Sequence, residues 1–311
     1  MSDYVISAHG LTRYFGSLAV VRQLELRIPR GSVTGLLGLN GAGKTTTLRM
    51  LLGLLEPTRG TSQIFGRDSR ELGPEDRARI GYTIEGHFLY GWMTVRESEQ
   101  FQKNTFPRWN ASLFAETVRR FGIDAAQKIR SLSRGQRAGV SLALTLAAEP
   151  ELLLLDDPAL GLDPVSRRAL NETLLDFCDD GRRTVLLSSH LLDDVERVAD
   201  RVAVMVHGRL LVDTTIDDFR SRVSAWSIDL PLATRATEAI PGLVQARPLG
   251  GRTVVTVADS DQETEAALAR LSGSSPDQNQ VERLPVTFED AVIAYLSRSR
   301  DSQSFLTASG V

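Results

Sequence analysis

The sequence has a single cysteine, no excess of basic residues and no long apolar run. Its single cysteine, Cys178, excludes an internal disulfide framework and a cysteine-rich metal site, and favours a reducing cytoplasm. The longest apolar runs, near residues 140–148 and 152–155, are far shorter than the roughly 20 residues that span a bilayer. The N-terminus, MSDYVISAHG, lacks the basic and apolar regions of a signal peptide. We therefore expect a cytoplasmic protein with no direct membrane span.

The charge balance excludes two further classes of partner. The chain has 36 basic and 39 acidic residues and a net charge of −3, so no overall field would hold it on nucleic acid or on anionic lipid. Hydrophobic residues make up 42% of its 311 residues, which is enough for ordinary globular cores. At about 150 residues per domain, this length allows one large domain with a small one, or two medium ones.

The first two thirds of the chain have the pattern of an α/β protein. Short continuous apolar runs predict parallel strands buried on both faces, and stretches with helical spacing separate them. The predicted strands cover Val33–Leu37, 152–155, 184–187 and 202–206, and the predicted helices cover 45–55, 139–147 and 164–177.

The pattern changes near residue 219. Short strands are predicted over 226–230, 244–246 and 253–257, the last two joined across Leu249, Gly250 and Gly251, and helices over 263–271 and 289–296. Short strands alternating with helices predict a small α+β domain with a ferredoxin-like arrangement.

A phosphate-binding loop follows the first predicted buried strand. The segment 38–45, GLNGAGKT, matches GxxxxGK[ST] and lies between a strand and a helix, as that motif requires. Gly41 and Gly43 allow backbone N–H groups to face a phosphate at the positive end of the helix. Lys44 supplies a cation for the β- and γ-phosphates, and Thr45 supplies a hydroxyl for Mg²⁺. The full predicted ATP-contacting set in this loop is Gly38, Asn40, Gly41, Gly43, Lys44, Thr45 and Thr46.

A carboxylate ends the strand predicted over 152–155. Asp156 follows four leucines directly, so the strand carries it to the carboxyl edge of the sheet. There it can hold Mg²⁺ through the ion's water shell.

The later motifs resemble those of ATP-binding-cassette (ABC) proteins. The segment 132–136, LSRGQ, is similar to the LSGGQ signature, and 156–164, DDPALGLDP, to the Walker B motif and D-loop. His190 stands in the place of the switch histidine, and Phe15 (or its neighbour Tyr14) in that of the aromatic that stacks on adenine. The resemblance covers about residues 4–215 in the correct order.

This resemblance implies a fold and an assembly. It implies a P-loop NTPase ATP-binding domain over 1–219, with a RecA-like core and a helical subdomain over about 86–148, followed by an accessory or dimerisation domain over 220–311. Two copies would bind head-to-tail with ATP between them, so that each signature contacts the other copy's ATP. The signature residues are Ser133, Gly135 and Gln136, and Asp163 would act across the same interface. Ser133 is also a favourable N-cap, and Gly135 permits close backbone approach.

Three positions depart from the family pattern. Arg134 replaces the first signature glycine, which we expect to be tolerated. Glu85 stands where the Q-loop usually has a glutamine that contacts the metal and the attacking water. As a carboxylate it can still bind Mg²⁺ through oxygen, but it cannot donate a hydrogen bond when ionised, and we expect function to survive. Asp157 replaces the catalytic glutamate, and it is shorter by about 1.3 Å of reach. Because a misplacement near 1 Å can cost on the order of 100-fold in rate, we expect slow but measurable ATP hydrolysis unless the loop shifts to compensate. The alternative is that His190 and substrate-assisted proton transfer matter more than a formal base.

The expected role of His190 is to bind the γ-phosphate and orient the attacking water, which makes Asp157, His190 and Glu85 the predicted catalytic set. The predicted metal set is Thr45, Glu85 and Asp156. The other histidines, His9, His87 and His207, have no such context and are assigned no role.

An aromatic-rich segment is the predicted partner surface. Residues 88–109 include six of the chain's 19 aromatic residues: Phe88, Tyr90, Trp92, Phe101, Phe106 and Trp109. Aromatic residues are favoured interface anchors, so about 86–109 would receive a separately encoded membrane permease. The alternative is that they form the core of the helical subdomain.

The finer pattern over segments 106–110, 151–164 and 284–291 resembles that of the ATPase subunits of bacterial drug and antibiotic exporters. It implies an ATPase bound through a permease to the cytoplasmic face of the membrane. The alternative function is a soluble or regulatory ABC ATPase with slow turnover, not directly coupled to transport.

Overall fold

The computed structural model describes residues 3–228, 240–260, 262–271, 281–297 and 306–307. Of the strand predicted over 226–230, residues 229 and 230 lie outside these ranges. The strands are β1 (Tyr4–Phe15), β2 (Leu18–Pro29), β3 (Val33–Leu37), β4 (Arg59–Ile64), β5 (Arg67–Asp68), β6 (Ile80–Thr83), β7 (Leu152–Asp156), β8 (Thr184–Ser189), β9 (Arg201–Val206), β10 (Arg209–Thr215), β11 (Val223–Ile228), β12 (Leu243–Leu249), β13 (Arg252–Ala258), β14 (Val281–Leu284) and β15 (Leu306–Thr307).

The helices alternate with these strands through most of the chain. In the described residues they are α1 (Lys44–Leu51), α2 (Pro74–Arg77), α3 (Val95–Lys103), α4 (Ala111–Arg120), α5 (Arg134–Ala147), α6 (Pro164–Cys178), α7 (Leu192–Val198), α8 (Ile216–Arg222), α9 (Gln262–Leu271) and α10 (Phe288–Leu296). None of these helices has both the length and the apolar character needed to cross a membrane.

The central sheet has the order β15-β10-β9-β3-β8-β7-β6. Strands β9, β3, β8, β7 and β6 are parallel, and β10 pairs antiparallel with β9. Every residue of β3, β7 and β8 is buried, as expected for continuous apolar runs in a sheet covered on both faces. The four strands predicted in this part of the chain are confirmed.

The helix predicted over 45–55 is too long at its C-terminal end. It ends at Leu51, because the chain turns at Gly53 with φ +66°. A Cβ on Gly53 would lie only 2.0 Å from the carbonyl oxygen of Ser69, so the turn depends on glycine.

Two apolar cores cover the faces of the central sheet. One lies against the antiparallel sheet β2-β1-β4-β5 and includes Leu48 of α1 and Leu154 of β7. The other covers the opposite face and includes residues of α5 and α6. In that second core α4 and α5 approach closely, since a Cβ on Gly139 would lie 2.4 Å from the ring of Phe121.

The C-terminal strands form a separate sheet. Its order is β12-β13-β11-β14, all antiparallel, and β12 and β13 form the predicted hairpin. The sequence change near residue 219 falls inside α8, which continues directly into β11 at Val223. The α+β character expected of this region is found, with its helices at α9 and α10.

An aromatic cluster holds this C-terminal region against the region that carries the central sheet. The ring of Phe219 lies 5.8 Å from that of Phe288 and 5.7 Å from that of Tyr295. All three residues are fully or almost fully buried in the same core as Val204 of β9. Helix α10 therefore packs on the larger region instead of extending into solvent.

Replacing Phe219 by alanine tests this packing. We expect Phe219→Ala to lower the free energy of unfolding by about 3–5 kcal/mol, because it removes a fully buried ring from a closed cluster. Leu175→Ala is the control, since Leu175 is 47% exposed, and it should cost less than about 0.5 kcal/mol. Urea denaturation of the two variants measures the difference, and equal losses would contradict the packing role.

Candidate functional site

The predicted site residues converge on one edge of the central sheet. Strands β3, β7 and β8 are parallel neighbours, so the segments that follow them meet at their carboxyl ends. The phosphate loop follows β3, Asp156 ends β7 and His190 follows β8. A cavity of about 280 Å³ opens there. It is lined by Val20, Asn40, Gly41, Gly43, Lys44, Thr45, Thr46, Glu85, Asp156, Asp157 and Leu160.

The phosphate loop is held by close backbone packing. Gly43, with φ +104°, precedes α1, and a Cβ there would lie 2.7 Å from the carbonyl oxygen of Val20. A Cβ on Gly38 would lie 2.7 Å from the carbonyl oxygen of Met205. Both glycines are thus required by contact with neighbouring backbone. The loop therefore keeps the tight shape that places the start of α1 at the cavity.

Lys44 is the buried cation of the loop. Its Nζ donates to the carbonyl oxygens of Gly38 at 2.6 Å and Leu39 at 3.3 Å. Burial lowers the pKa of Lys44, while the nearby carboxylates of Asp157, Asp156 and Glu85 act in the opposite direction.

Asp156 is joined to the phosphate loop by a hydroxyl. The Oγ1 atom of Thr45 donates to Oδ1 of Asp156 at 3.0 Å, and Asp156 is almost completely buried. In the described residues no three His, Cys, Asp or Glu side chains come together to hold a metal ion. This donor set of one hydroxyl and one carboxylate instead suits Mg²⁺ carried on phosphates, because Mg²⁺ keeps several waters and takes few protein ligands.

Asp157 and His190 form a direct pair. The Nδ1 atom of His190 lies 2.8 Å from Oδ2 and 3.0 Å from Oδ1 of Asp157. A carboxylate only accepts hydrogen bonds, so Nδ1 carries the proton. Asp157 has φ +48°, a conformation that residues other than glycine seldom adopt, and its N–H donates to Oγ of Ser188 at 3.0 Å.

The signature residues do not line this cavity, as expected if they contact a second copy's ATP. Ser133 caps α5, with Gln136 N donating to Ser133 Oγ at 3.1 Å and Ser133 N to Gln136 Oε1 at 3.0 Å. This capping box confirms the N-cap inferred from the sequence. Gly135 is close to α6 of the same chain, since a Cβ on it would lie 2.0 Å from Ser166 Oγ.

Asp163 caps α6. Its Oδ1 accepts from the N–H groups of Val165 and Ser166, both at 3.0 Å, and its Oδ2 accepts from Ser166 Oγ at 2.7 Å. The Ser166 hydrogen bonds lower the pKa of Asp163. A contact of Asp163 with a second copy stays a prediction.

The aromatic candidate Phe15 lies at the end of β1 and does not line the cavity. It is half-exposed, and the guanidinium of Arg13 lies 4.7 Å from its ring centre. Its neighbour Tyr14 is also exposed, so adenine stacking stays a prediction for this position.

Two residues near the site were assigned no role from the sequence. Ser188 contacts Asp156 and Asp157, and the signal for it is a polar side chain directly after the apolar residues of β8. His87 is buried two residues after Glu85, with φ +48°. Burial, aided by the charges of Arg134 and Arg137, lowers the pKa of His87.

Some aromatic residues of the segment 88–109 are exposed at the surface, and others pack against the core. Exposed fractions are 81% for Phe88, 59% for Tyr90, 66% for Trp92 and 51% for Phe101. We call these four residues the aromatic patch. Trp109 instead packs against the core, with its ring 6.1 Å from that of Phe114, and Phe106 is half-buried. The core alternative therefore holds for Trp109, and a contact of the aromatic patch with a membrane permease stays a prediction.

Comparisons with known proteins agree with this geometry. The family model described as ABC transporter matches residues 21–160. The bacitracin transport ATP-binding protein BcrA of Bacillus licheniformis is 32% identical over 220 residues, covering 70% of this chain and 72% of that protein. The daunorubicin/doxorubicin resistance ATP-binding protein DrrA of Streptomyces peucetius is 30% identical over 311 residues, covering 98% of this chain and 92% of that protein.

Solved structures show the same fold. A structure of an ATP-binding subunit of an ABC transporter has a TM-score of 0.63 and 29% identity, covering 70% of this chain and 92% of that one. A dimeric post-hydrolysis state of the cassette MJ0796, bound to ADP and Pi, has a TM-score of 0.60 at 21% identity, covering 68% of this chain and 98% of that one. The chain therefore belongs to the ABC transporter family, as an ATP-binding subunit.

Proposed function

We propose that the chain is the ATPase subunit of a drug-exporter-type ABC transporter, acting as a head-to-tail dimer beneath separately encoded membrane subunits. The observation that carries the ATPase assignment is the meeting of Lys44, Asp156 and Asp157 at one cavity, with His190 hydrogen-bonded to Asp157 behind its lining. The similarity to BcrA and DrrA, which are named for bacitracin transport and daunorubicin/doxorubicin resistance, supports the exporter type. Residues 220–311 are proposed to be an accessory or dimerisation domain.

The phosphate loop would bind the triphosphate. Lys44 would exchange its contacts with the carbonyls of Gly38 and Leu39 for the β- and γ-phosphates, and the N–H groups at the start of α1 would face the same anion. Mg²⁺ would be held by Thr45 and Asp156, with Glu85 at the same cavity, and it would neutralise phosphate charge. Phe15 would stack on adenine.

Asp157 and His190 would act together on the attacking water. Asp157 would accept a hydrogen bond from that water, and His190 Nδ1–H holds the carboxylate in place. Since Nδ1 already donates to Asp157, Nε2 of His190 can donate to a γ-phosphate oxygen only in the doubly protonated imidazolium. Ser133, Gly135 and Gln136 of a second copy would complete the site, with Asp163 at the same interface.

The aromatic patch is the proposed contact with the membrane subunit. It is an apolar surface, and its segment is bonded to the one that enters the signature helix α5, since the N–H of Arg130 donates to the carbonyl oxygen of Gly91 at 3.1 Å. A membrane subunit bound to the aromatic patch would connect the ATP-binding chain to the membrane at its cytoplasmic face.

Purification from native membranes tests the proposal. The tagged chain should be recovered with an integral membrane protein, and the complex should hydrolyse ATP faster than the chain alone. Lys44→Ala should keep the membrane protein but lose ATP hydrolysis. Recovery without a membrane partner, with unchanged ATPase activity, would contradict the transporter assignment and favour the regulatory alternative.

Lengthening Asp157 tests its catalytic role. We expect Asp157→Glu to raise kcat by on the order of 10- to 100-fold, because the added methylene restores about 1 Å of reach toward the water. Asp193→Glu, the same change at an exposed position of α7, should leave kcat unchanged. Steady-state ATPase assays compare the variants, and an unchanged or lower rate for Asp157→Glu would refute this account.

Truncating the aromatic patch tests the membrane contact. A variant with Phe88, Tyr90 and Trp92 all replaced by alanine should lose the membrane subunit on detergent extraction while its ATP affinity changes less than about threefold, since none of the three lines the cavity. Leu175→Ala removes an exposed apolar side chain elsewhere and should leave the complex intact. Complexes of the triple variant that survive extraction would place the contact on another surface.

A further inference from the structure

Ser188 lies beside both acidic residues of the site. In the pairing of β7 with β8 it is opposite Asp156, and on the other side of β8 it is opposite Leu36 of β3. Its exposed fraction is 0%, so water does not reach its hydroxyl. A polar group buried this deeply in an apolar sheet needs hydrogen-bond partners within the protein.

The hydroxyl of Ser188 donates one hydrogen bond and accepts another, and its partners are Asp156 and Asp157. Oγ of Ser188 donates to Oδ1 of Asp156 at 2.8 Å and accepts from the N–H of Asp157 at 3.0 Å. One atom thus joins the side chain of the first acid to the backbone of the second. An apolar side chain could not do this, because the arrangement needs a donor and an acceptor together.

The backbone that Ser188 supports is strained. Asp157 has φ +48°, a left-handed conformation that costs energy in a residue other than glycine and persists only when its surroundings hold it. The N–H of Asp157 is shared between Oγ of Ser188 and the carbonyl oxygen of Ser188, the latter at 3.1 Å. In this conformation the carboxylate meets Nδ1 of His190 at 2.8 Å.

We propose that Ser188 is a positioning residue for ATP hydrolysis, whose hydroxyl, together with its carbonyl oxygen, holds the Asp157 backbone so that the carboxylate lies against His190. The proposal rests on the catalytic role proposed for Asp157. The side chain of aspartate has fewer torsion angles than that of glutamate. The position of the Asp157 backbone therefore determines where its carboxylate lies. Ser188 does not line the cavity and acts through its two neighbours.

Ser188→Ala tests the kinetic consequence in the full chain. We expect kcat to fall on the order of 10- to 100-fold while KM for ATP stays within about threefold, because Lys44 keeps its place and Asp156 keeps its hydrogen bond from Thr45. Thr184→Val is the matched control. It removes another buried hydroxyl from the same strand, one that accepts from the N–H of Gly31 at 3.0 Å, and it should keep kcat.

The imidazole signals of His190 test the positioning without ATP. The chain has four histidines, so the ¹⁵N signals of His190 can be assigned from their loss in His190→Gln. Ser188→Ala should shift these signals, since the hydrogen bond from Nδ1 to Asp157 loosens, and Thr184→Val should not.

The proposal is overturned if Ser188→Ala keeps kcat, or if it leaves the His190 signals where they are in the wild-type chain. It is also overturned if KM rises as steeply as kcat falls, since that pattern would indicate general damage to the nucleotide site. A wild-type chain that does not hydrolyse ATP would count against the proposed function, and the His190 signals would then decide the role of Ser188 alone.

Discussion

The burial of one cation with two carboxylates at a single sheet edge is the constraint on which the site depends. Exposed fractions are 7% for Lys44, 3% for Asp156 and 8% for Asp157. Charges held this far from water are costly unless each has partners, and here each does. Lys44 bonds to the carbonyls of its own loop, and the two aspartates bond to the hydroxyl of Ser188, with Thr45 also donating to Asp156. The polar groups are therefore oriented before a phosphate arrives, which is the condition for electrostatic catalysis.

Much of this edge follows from the sequence, because parallel strands that read as continuous apolar runs must bring their carboxyl ends together. Sequence patterning therefore located Lys44 and Asp156 at one place, and the resemblance added Asp157 and His190. The sequence does not predict that Ser188 joins Asp156 to Asp157. That contact depends on which residue of β8 lies opposite Asp156, and the register between strands that are distant in the chain leaves no local signal in the sequence. The length of α1 was missed for a similar reason, because Gly53 turns against a carbonyl from a later segment.

The C-terminal region is coupled to the same sheet through aromatic packing. Helix α10 follows β14 of the smaller sheet, yet its Phe288 and Tyr295 pack with Phe219 in the core shared with β9. Strand β9 is the neighbour of β3, which leads into the phosphate loop. The change of sequence pattern near residue 219 indicates a boundary there, and the burial of these three rings makes the C-terminal helix part of the larger core. A movement of this region would therefore act on the sheet that carries the site.

The signature helix α5 contacts the segment that follows Asp157 in the same chain. A Cβ on Gly135 would overlap Ser166, whose hydroxyl donates to Asp163 at 2.7 Å, so the N-termini of α5 and α6 are in contact. Arg134, which departs from the family pattern, adds to this contact, because a Cβ on Gly161 would lie 2.4 Å from its Nη1 atom. The guanidinium thus lies on the segment that runs from Asp157 to Asp163. Arg134 therefore joins the start of α5 to that segment, a side-chain contact that a glycine at position 134 could not make.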